Sequence, residues 1–227
     1  RDGRVEHSIL QPRGPLQKLE ASPCGKKLLT AGSSGIFVWS VASGRLERSH
    51  QALPGWSARI AVSRLGAVLL SMGSGDLSIF HGEGGQPQRM LPIGRSHSHF
   101  VLFPSGDQVF VVTRTRAIVW HISSGKRLLE VDHTSNAAGH LVSVLHAAVS
   151  ADGGVVAACG ARAGEAGCMR NWMAAWDART GKALHRAEGA CGSGSAPYFS
   201  SIALGPAATM ADLLCVGERR AADTCVH

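Results

Sequence analysis

The chain has 227 residues, of which 44% are hydrophobic and 17% charged; 28 are glycine, and the formal net charge is +7 at pH 7. That apolar content excludes a disordered chain and supports a sizeable core, while few charges and many glycines favour a turn-rich fold. Six irregularly spaced cysteines exclude a dense disulfide scaffold and suit a reduced intracellular protein, cytoplasmic or nuclear; the longest apolar run, 141–149, is broken by Ser143 and His146 and is too short to span a membrane.

Residues 1–15 form an N-terminal segment in which "RVEHSIL" (4–10) has the pattern of the outer strand of a preceding unit. From residue 16 onward the chain repeats itself. An aromatic ends one apolar run in each copy, at Trp39, Phe80, Trp120 and Trp176, spaced by 41, 40 and 56 residues. Upstream of each lies a turn, "SPCG", "SRLG", "FPSG" or "SADG", whose glycines are Gly25, Gly66, Gly106 and Gly153. After three of the aromatics comes a second turn of Ser/Thr-Gly type, Ser43-Gly44, Ser124-Gly125 and Thr180-Gly181; after Phe80 the counterpart is "GEGG". The runs between turns are four to six residues long and rich in Val, Ile, Leu and Phe, as in "HFVLF", "QVFVVT", "AIVWHI" and "RLLEV" of the third copy. That length and composition predict strands rather than helices.

Each copy thus reads as a four-stranded antiparallel meander of about 40 residues. A lone sheet of this kind leaves an apolar face bare, and radial stacking of several buries each face against a neighbour. The predicted fold is an all-β propeller over 16–227, with blades at 16–52, 56–93, 97–133 and 140–188 and a partial blade at 198–227. In it the aromatic closes the third strand and packs between sheets, its N–H needing a partner where it is Trp, and the Ser/Thr-Gly turn leads into the outer strand.

Gly139-His140, followed at a distance by Trp176-Asp177, together with the repeat period, resembles the WD40 family. The resemblance implies seven blades as the commonest number, so the four to five visible here are expected to be part of a larger ring. It also implies that His140 and Trp176 join a buried polar network with a Ser or Thr on an intervening strand. Asp76 is the best match to the family's turn aspartate. The other copies depart from the pattern: Ser40 and His121 follow Trp39 and Trp120, and Phe80 replaces Trp. "AAWDARTGKALHR" is also similar to the repeat of quinoprotein-type propellers.

Searching for chemistry yields little. The sequence has no nucleophile elbow or P-loop, and "GEGG" sits in a hairpin turn rather than between strand and helix. His97, His99, His133, His140, Cys159, Cys168, His185 and Cys191 lack the spacing of a zinc site, so neither metal nor cofactor is expected. The predicted innermost strands carry Glu20, Arg59, His99 and His146, too mixed for a catalytic set. Arg59, Arg95, Arg114, Arg116, Arg162 and Arg170 fall near predicted turns and strand ends, where they can share one rim and meet carboxylate or phosphate groups. The expected function is a non-catalytic scaffold for protein–protein contacts in a multi-subunit complex, with RNA as a further partner of the basic surface, no membrane insertion and no small-molecule substrate. The alternative is a propeller enzyme of quinoprotein-like or hydrolytic type with its site at the central channel.

Overall fold

A computed structural model describes residues 7–9, 16–32, 35–51, 59–65, 68–72, 76–80, 88–93, 99–133, 142–163, 169–188, 198–204 and 213–218. The chain divides into two compact units, Arg1–Arg95 and Ser96–His227. All regular structure among the described residues is β-strand.

In the first unit, β1 (Leu16–Ala21), β2 (Lys27–Gly32), β3 (Gly35–Ser40) and β4 (Leu46–Gln51) form one sheet in sequence order. A second sheet follows from β5 (Arg59–Val62), β6 (Val68–Met72), β7 (Asp76–Phe80) and β8 (Arg89–Pro92). The second unit holds a third sheet, β9 (His99–Leu102), β10 (Gln108–Val112), β11 (Arg116–His121) and β12 (Arg127–Asp132). Its fourth sheet is β13 (Val142–Val149), β14 (Val155–Ala163), β15 (Met169–Asp177) and β16 (Ala183–Glu188), and a two-stranded sheet pairs β17 (Tyr198–Leu204) with β18 (Leu213–Glu218). Every pairing is antiparallel between strands consecutive in sequence, the outcome when connections are only a few residues long.

Burial explains why the sheets stack. In β10, Val109, Phe110, Val111 and Val112 are all fully buried, so both faces of this strand are covered and a single partner face is not enough. Outer strands β12 and β16 instead alternate between exposed and half-buried positions. The seam between the third and fourth sheets packs Phe110, Val112 and Val119 against Val156, Trp172 and Trp176. In the first unit, Leu29, Ala31 and Ile36 pack against Ile60 and the half-buried Phe80. Phe80 and Trp176 thus each lie on the face toward the preceding sheet, as expected of an aromatic packed between sheets.

Within each unit the first strand of a later sheet packs against the first and second strands of the one before: β5 against β1 and β2, β13 against β9 and β10, and β17 against β13 and β14. Stacking through first strands, with fourth strands outermost, is the blade arrangement of a β-propeller, and the fold class expected from the repeats holds.

The two turn types recur with the same geometry. Gly25, Gly106 and Gly153 have φ of 71°, 81° and 74°, and their N–H groups bond to the carbonyls of Ser22, Phe103 and Ser150 at 2.8–2.9 Å. Gly44, Gly125 and Gly181 have φ of 65°, 66° and 72° and donate to Ser40, His121 and Asp177 at 2.9 Å. Left-handed backbone of this kind costs glycine no Cβ clash, which is why the repeat keeps it there. Gly66 and "GEGG" of the second copy lie outside the described residues.

Candidate binding groove between the third and fourth sheets

After Trp39, Trp120 and Trp176 the next residue serves the turn that follows. Asp177 Oδ1 accepts from the N–H of Arg179 (3.1 Å) and from the N–H and hydroxyl of Thr180 (both 2.7 Å). Those bonds, the Thr180 hydroxyl foremost, hold the Asp177 carboxyl below its ordinary range. His121 takes the same place in the third sheet, its Nδ1 accepting from the Ser124 hydroxyl at 2.8 Å and the Ser124 N–H at 3.3 Å. In the first sheet the place is held by Ser40, whose hydroxyl accepts from Ser43 N–H at 3.4 Å. Aspartate, histidine and serine all supply one acceptor, so the Trp-Asp pair is one chemical version of a turn cap. Asp76 opens β7 instead, paired with Met72.

The aromatics differ in how their N–H groups fare. Trp39 Nε1 donates to the Thr30 hydroxyl at 3.0 Å inside the first sheet. Trp120 Nε1 is buried with no acceptor among the described residues, although Arg127 lies 5.1 Å over the ring. The registers give the reason. Trp39 pairs Leu28, and Thr30 is two residues along the same face; Trp120 pairs Val109, so Thr30's counterpart is Val111. His140, expected to join such a network with Trp176, lies outside the described residues.

Between the third and fourth sheets a groove of about 210 Å³ opens, lined among others by Val131, His133, Arg162, Trp172, Trp176 and Arg186. Strand alternation builds it. Counting back by twos from Trp176 along β15 puts Ala174, Trp172 and Arg170 on one face, and the β14 register puts Ala158, Gly160 and Arg162 opposite them. A Cβ added to Gly160 would stand 1.9 Å from Ser143 O and 2.9 Å from Trp172 Nε1, so only glycine leaves room for the indole and for the bulged pairing at Val144/His146. The Trp172 Nε1 itself is buried with no acceptor among the described residues.

From the third sheet, His133 stacks on Trp172 with centroids 5.0 Å apart and planes 19° from parallel. Its Nε2 donates to Thr113 O at 2.9 Å, and its own carbonyl accepts from Arg186 Nη2 at 3.2 Å. Burial pushes the imidazole below its ordinary value, with the Thr113 bond and nearby Asp132 pulling the other way. Arg162 pairs with Glu188, and Arg186 lies 3.7 Å from the same carboxylate. His185 and Asp132 complete the rim.

The candidate arginines fall into a pattern. Arg114 and Arg116 lie at the β10–β11 hairpin, and Arg162 and Arg170 lie at the hairpin ends of β14 and β15. All four therefore occupy the end of their sheet where the second strand turns into the third. Arg116 pairs with Glu130 at 2.6 Å. Arg59 opens β5 at the corresponding end of the second sheet; its side chain, and all of Arg95, lie outside the described residues.

Among the described residues no group of three or more His, Cys, Asp or Glu can hold a metal ion, and no helix is long and apolar enough to cross a membrane. His99 and His146 sit on neighbouring first strands with ring centroids 6.0 Å apart; Glu20 is on β1. His97, His140, Cys168 and Cys191 lie outside the described residues. Cys24 is an exposed thiol in the β1–β2 hairpin, and Cys159 is buried in β14.

No protein-family profile matches the chain, and no curated protein matches it. Among solved structures it is similar to Kuenenia stuttgartiensis hydrazine synthase, with a TM-score of 0.62 and 13% identity, over 82% of this chain and 53% of that one. The chain therefore spans about half the length of that relative. In all, 702 solved chains match, and at such identity a widely shared architecture speaks for the fold alone.

Proposed function

We propose that the chain is a WD40-like, non-catalytic scaffold that mediates protein–protein contacts within an intracellular multi-subunit complex. The observation that carries this reading is the division of labour among its polar residues. The repeated Trp-Asp, Trp-His and Trp-Ser phrases serve turns and seams, whereas Arg114, Arg116, Arg162 and Arg170 lie at one end of the third and fourth sheets and Arg162 and Arg186 line the groove. A rim of guanidinium groups around a narrow aromatic cleft suits recognition of a partner's surface more than turnover of a substrate. RNA is the further partner that a charge of +7 allows. The test is affinity purification of the tagged protein from its native source, with mass spectrometry before and after nuclease treatment. A stable set of co-eluting proteins is expected; a chain that elutes alone would sink the scaffold reading.

A second reading, a propeller enzyme with its site at the central channel, draws on the His99–His146 pair and on the buried, unpartnered Nδ1 of His146. It predicts a small ligand whose binding shifts the ring resonances of both histidines, and the scaffold reading predicts none.

A further inference from the structure

The fourth sheet sets two like charges face to face. Arg162 and Arg170 are register partners on β14 and β15, so their side chains leave the sheet on the same side, an arrangement that is destabilising unless something neutralises it. Arg162 is relieved by Glu188. Arg170 has no ion pair among the described residues, and its Nε is buried without an acceptor. A buried guanidinium donor left unmet is costly. Arg186 adds a third guanidinium on β16, opposite Ala174 on the same face. Among the described residues three arginines thus share this face of the sheet with one carboxylate, Glu188, and Asp132 and the half-buried His185 lie at the rim of the groove.

We infer that the groove binds an acidic peptide segment of a partner protein, one of whose carboxylates meets Arg162 at its wall and reaches the guanidinium of Arg170, the register partner of Arg162 on the same face, while a neighbouring apolar side chain enters beside Val131 and Trp172. The inference rests on the scaffold reading and names the chemistry of its partner. Two observations choose the occupant. At about 210 Å³ the groove is smaller than the roughly 300–1,000 Å³ of pockets that engulf small-molecule ligands. Trp172 and Trp176 are 6% and 3% exposed and His133 already covers Trp172, so neither offers the open ring on which a nucleobase stacks. A carboxylate supplies the two parallel acceptors that a guanidinium takes best.

The test is fluorescence anisotropy of the whole chain with a short fluorescein-labelled peptide alternating Glu and Leu, against a Lys–Leu peptide and a uridine oligomer of equal length. We expect saturable binding of the Glu–Leu peptide that weakens about ten-fold or more in Arg170→Gln, with the variant's melting temperature no lower than that of the wild type. If Arg170→Gln folds poorly, Arg162→Gln removes the facing guanidinium and carries the same expectation. Equal affinity for the Lys–Leu peptide, unchanged affinity in a folded variant, or tighter binding of the uridine oligomer overturns the inference. Co-eluting partners that persist while the Glu–Leu peptide fails to bind would overturn this inference and leave the scaffold reading standing. A chain that elutes alone yet binds the peptide through Arg170 would do the reverse.

Discussion

The indole nitrogens separate what a repeat needs from what it tolerates. Trp39 has its hydroxyl partner in Thr30, while Trp120 survives without one. Thr30→Val should therefore cost about 1–3 kcal/mol, the penalty for a buried donor left unmet. Val111→Thr should return about 0.5–1 kcal/mol by offering Trp120 the same acceptor. Urea titration of the two variants followed by tryptophan fluorescence measures both; a Val111→Thr variant less stable than wild type would show that the two sites are not equivalent. His133 makes a pH prediction. Its folded-state pKa lies below the ordinary 6.5, so near and below that value the unfolded chain binds the proton more readily, and stability falls with pH until the folded-state pKa is reached. Asp132, Arg162, His185, Arg186 and Glu188 surround this site, and Asp132 and Arg186 act on the imidazole with opposite sign. Asp152 and Asp177 act in a separate window. Their carboxyls are held below the ordinary 3.8, so the stability they contribute is present above that value and is lost as pH falls through their folded-state values. Thermal melts from pH 7.5 down to pH 3 should show two steps, and His133→Phe should remove only the first.

At the scale of elements, the bulge is the recurrent device. The third-to-fourth strand pairing shifts register immediately before Trp39, Trp120 and Trp176, and the first-to-second pairing shifts between Leu16/Lys18, Val144/His146 and Phe199/Ser201. An extra residue re-aims the strand and deepens its twist, which stacked blades require. Gly160 belongs to one of these bulges, and its place against Ser143 O is a close approach of two backbones. Gly160→Ala should cost about 3 kcal/mol or more, because the clash is with a carbonyl that cannot rotate away. The loss should appear as a lower denaturation midpoint together with altered Trp172 emission. A variant as stable as wild type would mean that β13 and β14 part more easily than their register suggests. These bulges were not legible in the sequence, since a one-residue shift leaves the apolar pattern of a short strand nearly unchanged.

At the scale of the molecule, net charge sets how partners arrive. With +7 overall and arginines at one end of the third and fourth sheets, association with an acidic segment is expected to be steered and therefore screened. Raising salt from about 0.05 to about 0.5 M, where the Debye length falls from above 10 Å toward 4 Å, should weaken binding of the Glu–Leu peptide mainly through a slower on-rate, measurable by stopped flow. A salt-independent rate would place the recognition in apolar contacts instead. By itself the sequence determined the repeat, the strands, the two glycine turns and the aromatic that closes each third strand, because strand alternation and the intolerance of side chains for positive φ act over a few residues. It also marked the arginines, but not their company. Only tertiary structure decided that His133 of one sheet stacks on Trp172 of the next, that Glu188 serves Arg162 and Arg186, and that the Arg170 Nε meets no acceptor among the described residues. Those facts depend on register between strands and packing between sheets, which bring His133 to Trp172 and Glu188 to Arg162 across distant stretches of sequence, and no local pattern encodes which residue finds a partner.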